Sequence, residues 1–119
     1  MAYRARQGDI IWLSLDPQVG NEQKGRRPAL VVSNDTFNDI DGMSAMICPI
    51  TNTDRDKPLH LRLDGKTKTT GVVRCDQAKV LDLAGRRVDF IEKVPDEIIF
   101  EAVDIIVGIV EIDTPASHL

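Results

Sequence analysis

The sequence is short of the residues that carry metal and nucleophilic chemistry. Its 119 residues include only two histidines, His60 and His118, and two cysteines, Cys48 and Cys75. His118 is penultimate and is expected in a tail. His60 opens a strand and reads as a surface or packing residue rather than a ligand. No carboxylates cluster at metal-ligand spacing, and there is no P-loop, nucleophile elbow, HExxH or dinucleotide fingerprint. Metal catalysis, a two-histidine ribonuclease mechanism and a bound cofactor are therefore not expected. Two cysteines make neither a disulfide framework nor a zinc set. Their settings, MICPI and VVRCD, suit reduced thiols in a core. The longest apolar run, Ile105 to Val110, is far too short to span a bilayer. No apolar run follows MAYRARQGD, so no signal peptide is expected. The expectation is a cytoplasmic protein without membrane contact, folded as one domain over residues 1–119.

An excess of basic residues is also missing. The formal charge is −4, which at first argues against a nucleic-acid partner. The distribution says more. Residues 88–119 hold eight acids and one lysine, so they carry −7 and leave +3 for the rest of the chain. The most basic stretch, Thr51 to Lys79, has seven bases against four acids. An acidic end and a mildly basic body are compatible with a local cationic groove.

Several short strands are expected. Asp9 to Leu15 reads as the first, followed by a turn-rich charged loop, DPQVGNEQKGRRP. Ala29 to Ser33 is a continuous apolar run typical of a buried strand. Asn34 can cap one helical turn to Asn38. Met43 to Ile50 is a strand, and residues 51–58 an exposed loop. His60 to Leu63 alternates as a half-exposed strand. Thr70 to Cys75 and Lys79 to Leu83 follow as further strands. A helix runs from Pro95 to Val110, with Pro95 at its first position and Asp96 and Glu97 complementing its N-terminus. Ile98, Ala102, Ile105 and Ile109 form one apolar stripe, and Ile99, Val103, Ile106 and Val110 an adjacent one. Such a wide face packs onto a sheet or onto a partner. The elements suggest a mainly β fold with a C-terminal α-helix, a small bent barrel. Periodicity alone does not separate that from an open α+β sheet.

Three polar elements are candidates for chemistry. In Gly20–Pro28, GNEQKGRRP, two arginines precede a proline. The segment reads equally as a solvated hairpin loop or as a phosphate site, since a guanidinium fork suits phosphate oxygens. Pro28 favours an extended Arg27. Thr51, in PITNT, is either a strand end or a hydroxyl donor to phosphate. Arg74 and Asp76, in GVVRCDQ, are two apart and share a strand face if the strand continues. They read as a surface ion pair of little worth, or as an acid/base pair flanking a phosphodiester.

Together these elements resemble a known family. GDIIW, LDP, GNEQKGRRPALVVS, FN, CPIT and TTGVVRCDQAKVLDL, in that order, are similar to the MazF/PemK toxin endoribonucleases. TTGVVRCDQ and VPDEII resemble the PemK/Kid branch in particular. The likeness runs from about Gly8 to the final helix. It implies an SH3-like small β-barrel with a terminal helix, and a homodimer whose groove binds single-stranded mRNA. It implies sequence-selective cleavage to 2′,3′-cyclic phosphate and 5′-hydroxyl ends, with arrest of translation and growth. It also implies a cognate antitoxin whose disordered acidic segment occupies the groove. Arg27 and Thr51 match the family's catalytic positions. Arg74 and Asp76 match the pair assigned as acid and base in the PemK/Kid branch, and many MazF members lack that arginine. Asn21, Glu22, Gln23, Arg26, Asn52, Thr70, Gln77, Arg86 and Arg87 are expected to support RNA binding. The chain departs from the PemK/Kid branch at Asn21, where that branch has a histidine. An amide hydrogen-bonds phosphate but does not exchange a proton near neutrality.

The chemistry these residues allow is internal attack by a 2′-hydroxyl. Asp76 is the expected base, Arg27 and Thr51 hold the non-bridging oxygens, and Arg74 stands by the leaving oxygen. Arginine holds its proton above about pH 12, so Arg74 is better read as an electrostatic stabiliser than as an acid. The alternative is a CcdB-like DNA gyrase inhibitor, a non-enzymatic binder on the same fold. That activity does not require the GRRP, CPIT and RCDQ elements together.

Overall fold

A computed structural model describes residues 3–15, 25–53 and 57–114. Seven strands form one sheet: β1 (Asp9–Ser14), β2 (Arg26–Val31), β3 (Ser44–Thr51), β4 (His60–Arg62), β5 (Val72–Arg74), β6 (Lys79–Asp82) and β7 (Asp89–Lys93). A single turn, α1 (Asp35–Asn38), links β2 to β3, and α2 (Asp96–Val110) ends the fold. The order is β4-β5-β3-β2-β1-β7, with β6 also paired to β3. Every pairing is antiparallel.

The sheet bends around β3. Its first half, Ser44 to Ile47, pairs with β6, while Ile50 and Thr51 pair with β5. β2 takes its other edge. One strand thus serves β6 along its first half and β5 at its end. The result is a small mostly-β fold with a C-terminal helix, and the sheet does not close among the described residues.

Side-chain alternation builds two cores, one on each face. Ile10, Leu30, Cys48, Ile50, Leu61 and Val73 pack beneath Ile98, Ile99 and Ala102 of α2. Ile11, Leu13, Ala29, Val31, Ala45 and Ile47 pack on the opposite face with Leu81 and Leu83. Cys48 and Cys75 are both buried and free, as expected. Hydrogen bonding between them and burial push the Cys48 thiol above its ordinary range. Asn34 caps α1 through a 2.8 Å bond accepted from the Phe37 amide.

The differences from the sequence reading have local causes. β2 begins three residues early, at Arg26, because Arg26 and Arg27 pair with Ser14 and Leu13. The strand expected from Thr70 to Cys75 is only Val72–Arg74, and Cys75–Gln77 is a 3₁₀ turn. β7 escaped the sequence reading altogether. It is an edge strand with mostly exposed residues, Asp89–Lys93, and it bulges against β1 between Ile10 and Ile11, so it lacks an apolar pattern. Pro95 sits just before α2 rather than at its first position. Of the two apolar stripes on α2, the first turns are buried, while Ile109 and Val110 stay exposed.

Candidate active site

Segments far apart in the chain converge on one cleft. It has a volume of about 620 Å³ and is lined by Arg27 from β2, Pro49 to Thr51 from β3, Thr53, Lys57, His60 of β4, Arg74 of β5, Gln77 and Lys79. No carboxylate is among its described lining residues, whereas Arg27, Lys57, Arg74 and Lys79 are basic. The acidic total is therefore no guide to this surface. A second cleft of about 540 Å³ shares Arg27, Ile50, Thr51 and Thr53, and continues past Asn52, Thr69 and Thr70. Arg27 and Thr51 stand on the wall common to both.

The backbone sets Thr51 in place. Its hydroxyl accepts a 3.1 Å hydrogen bond from the Thr53 amide. Behind it lies Gly71 with φ +115°, a region that favours glycine. A Cβ there would overlap the Thr51 carbonyl, coming 2.9 Å from its carbon and 3.1 Å from Asn52 Oδ1. Thr70 donates to Asn52 Oδ1 at 2.9 Å. Farther along the same loop, the Lys68 and Thr69 amides and the Thr69 hydroxyl bond Glu92 on β7. Burial opposes ionisation of Glu92, but these donors prevail and hold its carboxyl below the ordinary range.

Arg74 and Asp76 do not pair. The 3₁₀ turn removes Asp76 from the strand face of Arg74 and sets it against His60. Nε2 of His60 lies 3.3 Å from Asp76 Oδ1. That contact is close enough for an ion pair but not aligned as a hydrogen bond. Both ring nitrogens of His60, and Nε of Arg74, are buried without a hydrogen-bond partner among the described residues. The His60 side chain is 4% exposed and that of Asp76 28%. The pairing expected between Arg74 and Asp76 is thus replaced by a close contact between His60 and Asp76.

The other expected residues divide. Asn52 and Thr70 line the second cleft and Gln77 the first. Arg26 borders the second cleft, but unlike Arg27 it is engaged mainly within the chain. Its side chain is 2% exposed. It donates to the Trp12 carbonyl at 2.8 Å, the Arg87 carbonyl at 3.2 Å and Asp89 Oδ2 at 2.9 Å. It also lies 5.8 Å from the Trp12 ring centroid, within cation–π range. Arg86 and Arg87 are likewise not brought to the Arg27 cleft. They line a separate hollow with Tyr3, Met43 and Leu83. Arg86 donates to the Ser14 and Asp82 carbonyls, and Arg87 lies near Asp89. Asn21, Glu22 and Gln23 lie outside the described residues.

The sequence reading missed Lys57, Lys79 and His60. The pairing of His60 with Arg74 across β4 and β5 is a long-range register that neither segment shows alone.

Comparison with known proteins identifies the family. A model of the PemK-like, MazF-like toxins of type II toxin–antitoxin systems matches residues 6–108. The chain belongs to that family. It is 39% identical to the endoribonuclease PemK of Escherichia coli over 80% of this chain and 74% of the relative. It is similar to the crystal structure of MazF from Deinococcus radiodurans, with a TM-score of 0.79, 31% identity, and 93% and 100% of the two chains covered. It also resembles a chain of the MazE–MazF crystal structure from the same organism, with a TM-score of 0.78, 26% identity, and 94% and 100% covered. Membership supports the toxin-nuclease reading over the gyrase-binding alternative. No helix among the described residues is long and apolar enough to cross a membrane.

Proposed function

We propose that this member of a family of endoribonuclease toxins cuts single-stranded mRNA at selected sequences, without a metal, by attack of a 2′-hydroxyl on the adjacent phosphorus. The products are a 2′,3′-cyclic phosphate and a 5′-hydroxyl, and the consequence in the cytoplasm is arrest of translation and growth. One observation carries this reading. Arg27, Thr51 and Arg74, from three strands, meet in one cationic cleft whose described lining has no carboxylate.

Each group has a task its chemistry suits. Arg27 and Thr51 donate to the non-bridging oxygens, where charge gathers in the transition state. Arg74 stabilises charge on the leaving 5′-oxygen, since its own proton is held too tightly to give. Asp76 belongs to the proton-transfer part of the site. Asn52, Thr70 and Gln77 provide neutral donors and acceptors that suit exposed base edges of a single strand. Four cations around the cleft attract phosphate and repel a divalent metal ion.

The partners follow the same charges. An acidic disordered antitoxin segment complements the cleft that phosphate would occupy. A second copy of the chain would cover the apolar residues exposed late in the chain, Phe100, Val107, Ile109, Val110 and Ile112, which a soluble monomer rarely groups together.

The test is to incubate the pure protein with a long RNA in excess chelator and map the ends. Discrete cuts with 2′,3′-cyclic phosphate and 5′-hydroxyl ends are expected. Intact RNA together with inhibited DNA gyrase would select the non-enzymatic alternative.

A further inference from the structure

Arg27, Thr51, Arg74 and Asp76 include no group that exchanges protons easily near neutrality. Arginine keeps its proton, threonine does not titrate in this range, and an ordinary aspartate is a weak base. Imidazole is the side chain whose ordinary titration falls there. Among the described residues His60 is the only one.

His60 is placed in a way that a packing residue is not. Its side chain is 96% buried, yet it forms part of the cleft wall with Arg27, Thr51 and Arg74. Neither ring nitrogen has a hydrogen-bond partner among the described residues. Buried polar atoms are otherwise nearly always paired, so unpaired ones call for an explanation. The one carboxylate at ion-pair distance is Asp76, at 3.3 Å. Strand register places His60 directly across from Arg74. The three residues therefore form one cluster built by β4, β5 and the 3₁₀ turn.

We propose that His60 is a catalytic proton acceptor of this site, with Asp76 as the carboxylate that orients its ring and stabilises its charged form. The inference rests on the ribonuclease reading and deepens it. The 2′-hydroxyl gives its proton to the imidazole as the 2′-oxygen bonds to phosphorus. The bond from phosphorus to the 5′-oxygen breaks, and that oxygen takes a proton from water. The imidazolium then returns its proton to solvent, so the site ends as it began. Nε2 lies beside Asp76, which leaves Nδ1 as the nitrogen that takes the 2′-hydroxyl proton. Other charges surround the ring. Arg74, Arg27, Lys57 and Lys79 oppose its protonation from the cleft side. The carboxylate beside the ring is Asp76, and the negative charge of Glu101 on α2 is felt at neighbouring Cys75.

The experiment uses the full-length protein and a cleaved RNA whose scissile sequence has been mapped. Rate against pH is measured for wild type, His60→Gln and Asp76→Asn. Binding is measured separately with the same RNA carrying a 2′-deoxy sugar at the scissile position. His60→Gln is expected to lower kcat by about 100-fold or more, the scale of a positioned base. Its affinity for the deoxy RNA should stay within about 2-fold. The wild-type rate should rise through one titration between about pH 5 and 8, and His60→Gln should remove that rise. In NMR, the imidazole signal lost in His60→Gln should titrate in the wild type, and at lower pH in Asp76→Asn, where the partner charge is gone. Near-normal kcat in His60→Gln, or an unchanged pH profile, would overturn the proposal. So would an imidazole signal indifferent to Asp76→Asn, even if His60→Gln failed to fold. Wild-type cleavage that is lost in Arg27→Ala but kept in His60→Gln would leave the nuclease reading standing and sink this one alone.

Discussion

Arg26 and Arg27 are neighbours in sequence and opposite in circumstance. Strand alternation sends them to different surroundings. Arg26 is enclosed among the Trp12 ring, two carbonyls and Asp89. Arg27 is exposed on the wall between two clefts. The same contrast separates other pairs. Arg86 bonds main-chain carbonyls, whereas Arg74 lines the cleft of Arg27. Arg26 and Arg74 each keep a buried Nε without a partner among the described residues, so an unpaired donor does not by itself separate the two kinds. Position does: Arg27 and Arg74 stand on the wall of one cleft.

The widest gap between the two arginines should appear in paired substitutions. Arg27→Ala should lower RNA cleavage by roughly 100-fold or more and leave thermal stability within about 0.5 kcal/mol, as for an exposed position. Arg26→Met should do the reverse. It leaves the Trp12 and Arg87 carbonyls without this donor, at about 2–3 kcal/mol. That is a fall of about 10 °C in Tm for a chain of this size, with cleavage per folded molecule largely kept. Calorimetry and initial rates on both variants check this, and equal losses of activity would erase the distinction.

A smaller effect tests how tightly Thr51 is held. Gly71→Ala pushes a methyl group into the Thr51 carbonyl. It should cut cleavage by about 10-fold or more, since sub-ångström displacement is costly in catalysis. Gly65→Ala is the control. Gly65 also has a positive φ, of 75°, but open space around it. It should lose stability of order 1 kcal/mol and little activity. Similar rates in the two variants would show that the backbone behind Thr51 does not position it.

The smallest effect concerns pH on the Arg26 side. The hydrogen bond from Arg26 holds the Asp89 carboxyl below the ordinary range. A depressed carboxylate stabilises the fold above its unfolded pKa, and that stability is lost as pH falls through the folded value. Asp89→Asn should therefore have a lower Tm than wild type at pH 7. The difference should close as the pH drops below about 4. A constant difference across that range would mean that charge on Asp89 is not what Arg26 uses.

Much of this was legible in the residues. The apolar runs around Ile10, Val31, Ile47 and Ile98 revealed strands and helix, because burial writes its period into the sequence. Arg27, Thr51 and Arg74 could be named because ordered motifs carried the family likeness, and they meet in one cleft. What escaped depends on contacts across the chain. β7 escaped because an edge strand whose residues are mostly exposed, Phe90 and Ile91 included, has no buried face to betray it. Arg26 looked like a ligand-binding twin of Arg27, since neither Asp89 nor the Trp12 ring is near it in sequence. Asp76 looked like a strand partner of Arg74 until the 3₁₀ turn intervened. His60 looked like packing because its meaning comes from lying opposite Arg74 and against Asp76.

The central claim is one of place, that RNA is held and cut between Arg27, Thr51, Arg74 and the His60–Asp76 pair. The most direct measurement is NMR of the protein with its own target sequence made uncleavable by a 2′-deoxy sugar at the scissile position. The account predicts the largest shifts at the Arg27 and Arg74 guanidinium groups, the Thr51 amide and the His60 ring, with Arg26 unmoved. Shifts centred instead on the hollow of Arg86 and Arg87, with the Arg27 cleft silent, would contradict it.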